Sequence, residues 1–508
     1  MRFKGLYHLF YQYNPKGAVW GNIVWAHSVS KDLINWTPLD PAIFPSQPSD
    51  INGCWSGSAT ILPSGKPAIL YTGIDPNNHQ VQNLAYPKNA SDPLLREWVK
   101  SPKNPLMEPT STNMINASSF RDPTTAWRGK DGHYRVLVGS KRDTRGIARL
   151  FRSKDFVNWV EAKHPLHSSK RTGMWECPDF FPVLVKGTLG VDTSADGDYV
   201  RHVLKMSLDD KKHDYYLIGS YDGKKDRFIP DSGFENGEES VLRYDYGKYY
   251  ASKTFYDEDR KRRILLGWAN ESSSVNDDIK KGWSGIHAIP RTVWLHKSGK
   301  QLVQWPVGEI EKLRANPISL PNKVLKAGQT LQITAVTAAQ ADVEISFEAK
   351  EFGKAEVLDS WVDPQLLCSR KGASVKGGLG PFGLLAFASK GLKEYTAVFF
   401  RVFRYQNNNL VLMCSDQSRS SLNKDNDLTT YGTFIDVDPS HENLSLRSLI
   451  DNSVVESFGG EGKAVITARV YPTLAINDKA LLYAFNYGAS DVKITKLNAW
   501  SMKKAQVN

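Results

Sequence analysis

Cysteine is scarce in this chain: four in 508 residues. None of Cys54, Cys177, Cys368 and Cys414 belongs to a Cys-X-X-Cys pair, which argues against both a disulfide-dense scaffold and a cysteine-ligated structural zinc site. No metal or cofactor is expected. Long apolar runs are also missing. Nothing reaches the ~18 residues that a membrane-spanning helix needs. The first residues, Met1-Arg2-Phe3-Lys4-Gly5, lack the apolar core of a secretory leader and pass straight into strand-like sequence. Helical periodicity is nearly absent from the first 300 residues, which leaves an all-β reading.

Positive charge, by contrast, is in excess. Lys and Arg number 65 against 54 Asp and Glu, a net charge of +11. These cations are scattered among acids, and the densest cluster, Arg260 to Arg263, follows Asp257-Glu258-Asp259 as in a solvated hairpin. That scatter argues against a nucleic-acid partner and suits an acidic polysaccharide matrix. Five Asn-X-Ser/Thr sequons, at Asn35, Asn89, Asn116, Asn270 and Asn443, favour secretion and glycosylation. At this length two domains are the default, and 41% hydrophobic residues are enough to pack them.

Short apolar runs recur along the first part of the chain. They are Leu6 to Gln12, Pro67 to Gly73, Tyr134 to Ser140, Tyr215 to Ser220 and Arg263 to Trp268. A second echo pairs Ser30-Lys31-Asp32-Leu33-Ile34-Asn35-Trp36 with Ser153-Lys154-Asp155-Phe156-Val157-Asn158-Trp159. Repeats of this size, each holding several short strands, predict a β-propeller. Five recurrences predict five blades over 1–306, with each run as an inner strand. A linker is expected over 307–325. Alternating stretches such as Val343 to Glu348 then predict a β-sandwich over 326–508. Cys368 and Cys414 share this half and are expected to pair, leaving Cys54 and Cys177 as free thiols; pairing Cys54 with Cys177 is the alternative.

The stretch Trp175-Glu176-Cys177-Pro178-Asp179 carries the chemistry. A glutamic acid walled by the Trp175 indole is desolvated, which raises its pKa and suits it to act as a general acid. Phe120-Arg121-Asp122-Pro123-Thr124 supplies a second carboxylate, although Asp before Pro also serves turns. Two carboxylates flanking a sugar-sized gap are the machinery of glycoside hydrolysis. Asp451 and Glu456 form another acidic pair, assigned here to fold or interface.

Taken together, these motifs resemble the plant acid invertases of glycoside hydrolase family 32, on the cell-wall branch. Phe10 to Pro15, Trp20-Gly21-Asn22, Cys54 to Thr60, Asp416 to Ser421 and Asp451 to Phe458 extend the resemblance over essentially the whole chain. It implies a five-bladed propeller followed by a sandwich, sucrose or short fructans as substrates, and an extracellular, cell-wall location. It further implies that Glu176 is the acid/base, that Asp122 holds the fructosyl hydroxyls, and that Arg121 orients Glu176. Gln12, Trp20, Asn22, Trp55 and Ser56 would form the fructose pocket. Asp209 and Lys212 match a pair that marks sucrose use, and Pro178 matches the cell-wall branch. One motif departs: the family's nucleophile lies in Asn-Asp-Pro-Asn-Gly, which does not occur in these 508 residues. The sequence is therefore expected to start past that motif within a longer protein, and the polypeptide as written to hydrolyse sucrose poorly. A non-catalytic sucrose-binding protein, or a fructan exohydrolase or fructosyltransferase, are the alternatives.

Overall fold

A computed structural model describes residues 1–237, 241–320 and 322–507. Five antiparallel sheets come first, one per blade. Blade I comprises Arg2–Phe3, Leu6–Tyr13, Val24–Ser30 and Thr37–Ile43, and blade II comprises Cys54–Ile61, Pro67–Ile74, Gln80–Pro87 and Trp98–Lys100. Blade III is built on Trp127–Arg128, Tyr134–Arg142, Arg145–Ser153 and Trp159–Glu161, with Phe120–Arg121 and His167–Ser169 at its ends. Blade IV carries Trp175–Leu184, Val200–Leu208, His213–Asp222 and Arg227–Pro230, with Leu242–Arg243 paired at its edge. Blade V carries Tyr249–Asp257, Arg262–Ala269, Arg291–Leu295 and Leu302–Pro306, with Ile286–His287 added.

The five recurrent runs are middle strands, not the inner strands expected from their sequence. Pro67–Ile74 lies between Cys54–Ile61 and Gln80–Pro87, and His213–Asp222 is the third strand of its blade. A middle strand is covered on both faces by neighbouring blades, so it becomes apolar without alternation. All eight residues of Pro67–Ile74 are buried.

The second echo is a shared turn. Asp32 accepts from the backbone of Ile34 and Asn35, at 3.1 and 2.8 Å, and Trp36 Nε1 donates to Leu33 O. Asp155 does the same with Val157 and Asn158, at 2.9 and 2.7 Å, and Trp159 Nε1 donates to Phe156 O. Blade II repeats it in a sequence that hides it: Asp92 accepts from Leu94 N and Trp98 Nε1 donates to Leu95 O. Leu33, Leu95 and Phe156 all take positive φ, at 64°, 47° and 67°. Side-chain capping by aspartate holds that unfavourable backbone in place.

Residues 307–325 are not a linker. Gly308–Leu313 is a 3₁₀ helix, and Arg314–Ser319 and Lys323–Leu325 both pair with Val492–Met502 in the sandwich. The unsatisfied backbone of the last strand recruits the segment as its edge. Two seven-stranded sheets make up the sandwich, packed over a core that includes Val343, Phe382, Phe400 and Leu482. Cys368 and Cys414 form a disulfide with Cα atoms 5.7 Å apart, while Cys54 and Cys177 are buried free thiols.

Candidate active site

The first strands of blades II and IV and the Asp122-Pro123 turn of blade III converge on Lys253 of blade V. Its Nζ lies 2.9 Å from Pro178 O, 3.2 Å from Ser58 Oγ, 3.3 Å from Pro123 O and 3.4 Å from Asp122 O. Burial lowers its pKa, against the pull of neighbouring acidic groups such as Asp179 and Asp122. Lys253 thus ties together the backbone on either side of Asp122 and of the Glu176 bulge.

Asp122 is buried and sits at φ 68°. Its backbone N donates to Thr72 Oγ1 at 2.8 Å, and its Oδ2 accepts from Cys177 N at 2.8 Å. Thr72 in turn donates to Gln82 Oε1 at 2.9 Å, so blade II fixes the turn that presents Asp122. Glu176 starts the first strand of blade IV, just before a bulge between Glu176 and Asp179 where Cys177 takes φ 43°. Such a bulge re-aims a side chain.

Trp175 does not wall Glu176. Successive strand residues face opposite ways. Accordingly, Trp175 is fully buried, donates from Nε1 to Thr172 Oγ1 at 2.9 Å, and lies so close over Gly146 that a Cβ there would meet its ring at 2.0 Å. The aromatic neighbour of Glu176 is Tyr250 of blade V, whose hydroxyl donates to Glu176 Oε2 at 2.5 Å. Arg121 donates to Glu176 Oε1 from Nη2 at 2.9 Å and from Nε at 3.2 Å, and to Asp209 Oδ2 at 3.2 Å. Gln80 accepts from Arg121 Nη1 at 3.2 Å and from Phe120 N at 2.8 Å, which aims the guanidinium. Lys212 pairs with Asp209 and lies 3.9 Å from Glu176 Oε2.

These neighbours separate the two acids. Burial raises the Glu176 pKa; the charges of Asp122 and Asp209 add to the rise, while Arg121 and the Tyr250 hydroxyl oppose it. Burial also acts on Asp209, but the Lys212 hydrogen bond and charge, followed by Arg121, hold its carboxyl below the usual range. A protonatable Glu beside a carboxylate kept ionised is the division that acid–base chemistry needs.

A second group forms the adjoining wall. Trp25 Nε1 donates to Trp55 O at 2.9 Å, and the Gln12 amide, turned to suit its neighbours, accepts from the same indole at 3.1 Å and donates to Cys54 O at 3.3 Å. Trp55 and Ser56 lie on a bulge of Cys54–Ile61, where Trp55 is opposite Thr72. Trp20 stands 62% exposed, edge-on to Trp55 with ring centroids 5.3 Å apart. Asn22, also exposed, follows it on the same loop. Sequence reasoning missed Tyr250, Gln80, Thr72 and Lys253. None lies in a motif, but Tyr250 and Lys253 flank a bulge in the first strand of blade V, as Glu176 does in blade IV.

The assembled site puts a buried Asp122, a partly exposed Glu176, an orienting guanidinium and an aromatic rim at the channel end of a propeller. Residues 1–306 match the glycosyl hydrolases family 32 N-terminal domain and residues 309–501 the family's C-terminal domain. The chain is 76% identical over 485 residues to a β-fructofuranosidase, cell wall isozyme, of Pisum sativum, covering 95% of this chain and 87% of the relative. It is 62% identical to a fructan 6-exohydrolase of Beta vulgaris, covering 100% of this chain and 84% of that one. Among solved structures, fructan 1-exohydrolase IIa from Cichorium intybus superposes with a TM-score of 0.97 at 53% identity, covering 100% of this chain and 94% of that chain. With family models matched over residues 1–306 and 309–501 and a propeller site to go with them, the chain belongs to glycosyl hydrolase family 32.

Proposed function

We propose that this chain is a β-fructofuranosidase that splits sucrose into glucose and fructose with retention of configuration. The observation that carries the reading is the Glu176–Arg121–Asp209–Lys212 network, in which one carboxyl is pushed toward its neutral form and the next is held charged. Protonated Glu176 gives its proton to the glycosidic oxygen as an attacking carboxylate, which an Asn-Asp-Pro-Asn-Gly motif would supply, bonds to the anomeric carbon; glucose leaves, and water then opens the fructosyl ester. Glu176 then takes a proton from the water that releases fructose. Asp122, locked by Cys177 N and Thr72, holds ring hydroxyls and opposes the positive charge that develops on the sugar. Asp209, braced by Lys212, accepts from a hydroxyl of the departing glucosyl unit. Trp20, Asn22, Trp55, Ser56 and Gln12 frame the fructosyl ring.

The relatives named as cell-wall enzymes support an extracellular site of action, and the net positive charge supports retention on an acidic wall polysaccharide. By the family resemblance, the carboxylate that attacks the anomeric carbon lies in an Asn-Asp-Pro-Asn-Gly motif. The test compares residues 1–508 with the same chain preceded by a segment carrying that motif. Retaining hydrolysis needs an attacking carboxylate, and loss of a nucleophile elsewhere has cost on the order of 10⁶ in turnover. The extended chain should hydrolyse sucrose faster by several orders of magnitude, and an Asn in place of the added Asp should cancel the gain. If the extended chain bound sucrose without cleaving it, the hydrolase reading would fail.

A further inference from the structure

Outside the catalytic channel, a cleft lies on the flank of blade III, with a volume of about 700 Å³. That is within the range of ligand-binding clefts, about 300–1,000 Å³. Six cations line it, Arg142, Arg145, Arg149, Lys163, Lys170 and Arg171, against two acids, Asp143 and Glu161. Two of the cations are already engaged: Arg149 Nη1 donates to Glu161 Oε1 at 2.5 Å, and Arg145 Nη1 to Ser168 Oγ at 3.0 Å. Among the described residues, Arg142, Lys163, Lys170 and Arg171 have no ion-pair partner, and all four are exposed. A surface that scatters its charges elsewhere here collects four unpaired cations around one concavity.

The rim is held, not loose. Thr172 N and Gly173 N both donate to Thr144 O at 3.1 Å, and Thr172 Oγ1 both donates to Ser169 O and accepts from the buried Trp175 indole. Asp143 and Arg171 sit at positive φ, 52° and 62°, on the two facing turns. With the backbone held, a ligand need order only the side chains.

We propose that this cleft binds a uronate-bearing oligosaccharide, a stretch of acidic polysaccharide whose carboxylates meet Arg142, Lys163, Lys170 and Arg171 while Thr144, Ser168 and Asn113 meet its hydroxyls. The lining holds no Trp, Tyr or Phe, so it offers no aromatic ring on which a nucleobase could stack. The cations stand singly around the cleft, which suits charges spaced along a chain better than one compact phosphate. The cleft is separate from the catalytic network, so this assignment rests on the wall-polysaccharide reading above but not on the hydrolase reading.

The experiment compares two charge-matched variants of the full chain. One carries Arg142→Gln, Lys163→Gln, Lys170→Gln and Arg171→Gln. The other carries Lys390→Gln, Lys393→Gln, Lys424→Gln and Lys479→Gln, which removes the same charge from exposed positions in the sandwich. Binding to de-esterified polygalacturonate is measured at low salt, with methyl-esterified polymer and single-stranded DNA as comparison ligands and circular dichroism to verify folding. The cleft variant should bind polygalacturonate about tenfold more weakly, or worse, and the sandwich variant should stay within about twofold of the parent. Equal losses in the two variants would overturn the cleft and leave wall retention to net charge. No binding by the parent would overturn both. Equal binding to the esterified polymer, or tighter binding to DNA, would overturn the uronate assignment. If the cleft variant misfolds, the pair Lys163→Gln and Lys170→Gln, which keeps both positive-φ residues, Asp143 and Arg171, should still give part of the loss; its absence would likewise overturn the proposal.

Discussion

Two glutamates in this molecule each lean on an arginine, and only one of them is built for chemistry. Glu176 meets Arg121 at the channel, and Glu456 meets Arg291 at 3.0 Å where the sandwich abuts blade V. Burial is the first cause of a raised pKa in both. A raised pKa therefore does not distinguish them. Access does: the Glu176 side chain keeps 19% of its surface exposed, Glu456 only 2%. Glu456 also spends its oxygens on structure, accepting from Ile289 N at 2.8 Å while Arg291 reaches on to Asp245 at 3.0 Å. The sequence expectation that Glu456 serves fold or interface agrees with this contact set. A perturbed acid marks a site only when it opens onto room for a substrate.

Exchanging the two carboxyls for amides tests the contrast most severely. Glu176→Gln in the motif-extended chain should cut sucrose hydrolysis by about 10²–10⁴ while leaving thermal stability and sugar binding nearly intact. A fructoside whose leaving group needs no proton should suffer less. If Glu176→Gln kept near-parental turnover, the acid would have to be sought elsewhere.

Asp209→Ala comes next. Hydrogen bonds to a charged group are worth about 1.5–3 kcal/mol, so sucrose hydrolysis should fall roughly 10- to 100-fold. Longer fructans, which present another sugar to that position, should lose far less. Matching losses on sucrose and on a fructan such as 1-kestose would mean that Asp209 only steadies Arg121 and does not read the glucosyl unit.

Glu456→Gln should act in the opposite currency. Arg291 would keep Asp245 but lose one charged partner in a dry interface, at a cost of about 1–3 kcal/mol. Urea unfolding should reveal it, with turnover per folded molecule within about twofold of the parent. A large drop in turnover with unchanged stability would erase the distinction between the two pairs.

How much of this the sequence could disclose depended on how local each feature is. The blade repeat was readable because strands packed on both faces stay apolar, and the aspartate-capped turns because all their bonds lie within a few residues. Asp92 escaped notice because its blade writes the same turn with Pro93, Leu94 and Leu95. The acid motifs and the disulfide were likewise legible. Tyr250 and Lys253 were not. Their partners lie 74 residues away at Glu176 and 131 residues away at Asp122, and only closure of the ring brings them together. The Trp175 error has the same root: adjacency in sequence was taken for adjacency in space, although a strand turns neighbours to opposite faces. The supposed linker over 307–325 looked independent because the strand it joins, Val492–Met502, lies at the far end of the chain.

The smallest effect expected is also the one that separates the pairs most finely, because it asks what tunes Glu176. The Tyr250 hydroxyl donates to Glu176 Oε2 and so favours the charged form, working against burial. Tyr250→Phe keeps the ring, and with it the burial, but removes the donor. The Glu176 pKa should rise further. Glu176 must be protonated to act as the acid, so activity falls as pH climbs through its pKa; in Tyr250→Phe that alkaline limb should move to higher pH. The acid limb, set by whichever group must be ionised, should stay in place. Tyr471→Phe provides the contrast, since the Tyr471 hydroxyl donates to Glu271 beside Arg469, a network that ties blade V to the sandwich. That variant should leave the pH profile of sucrose hydrolysis unmoved. An alkaline limb that shifted to lower pH, or shifted equally in both variants, would show that Tyr250 shapes the pocket without setting the proton affinity of Glu176.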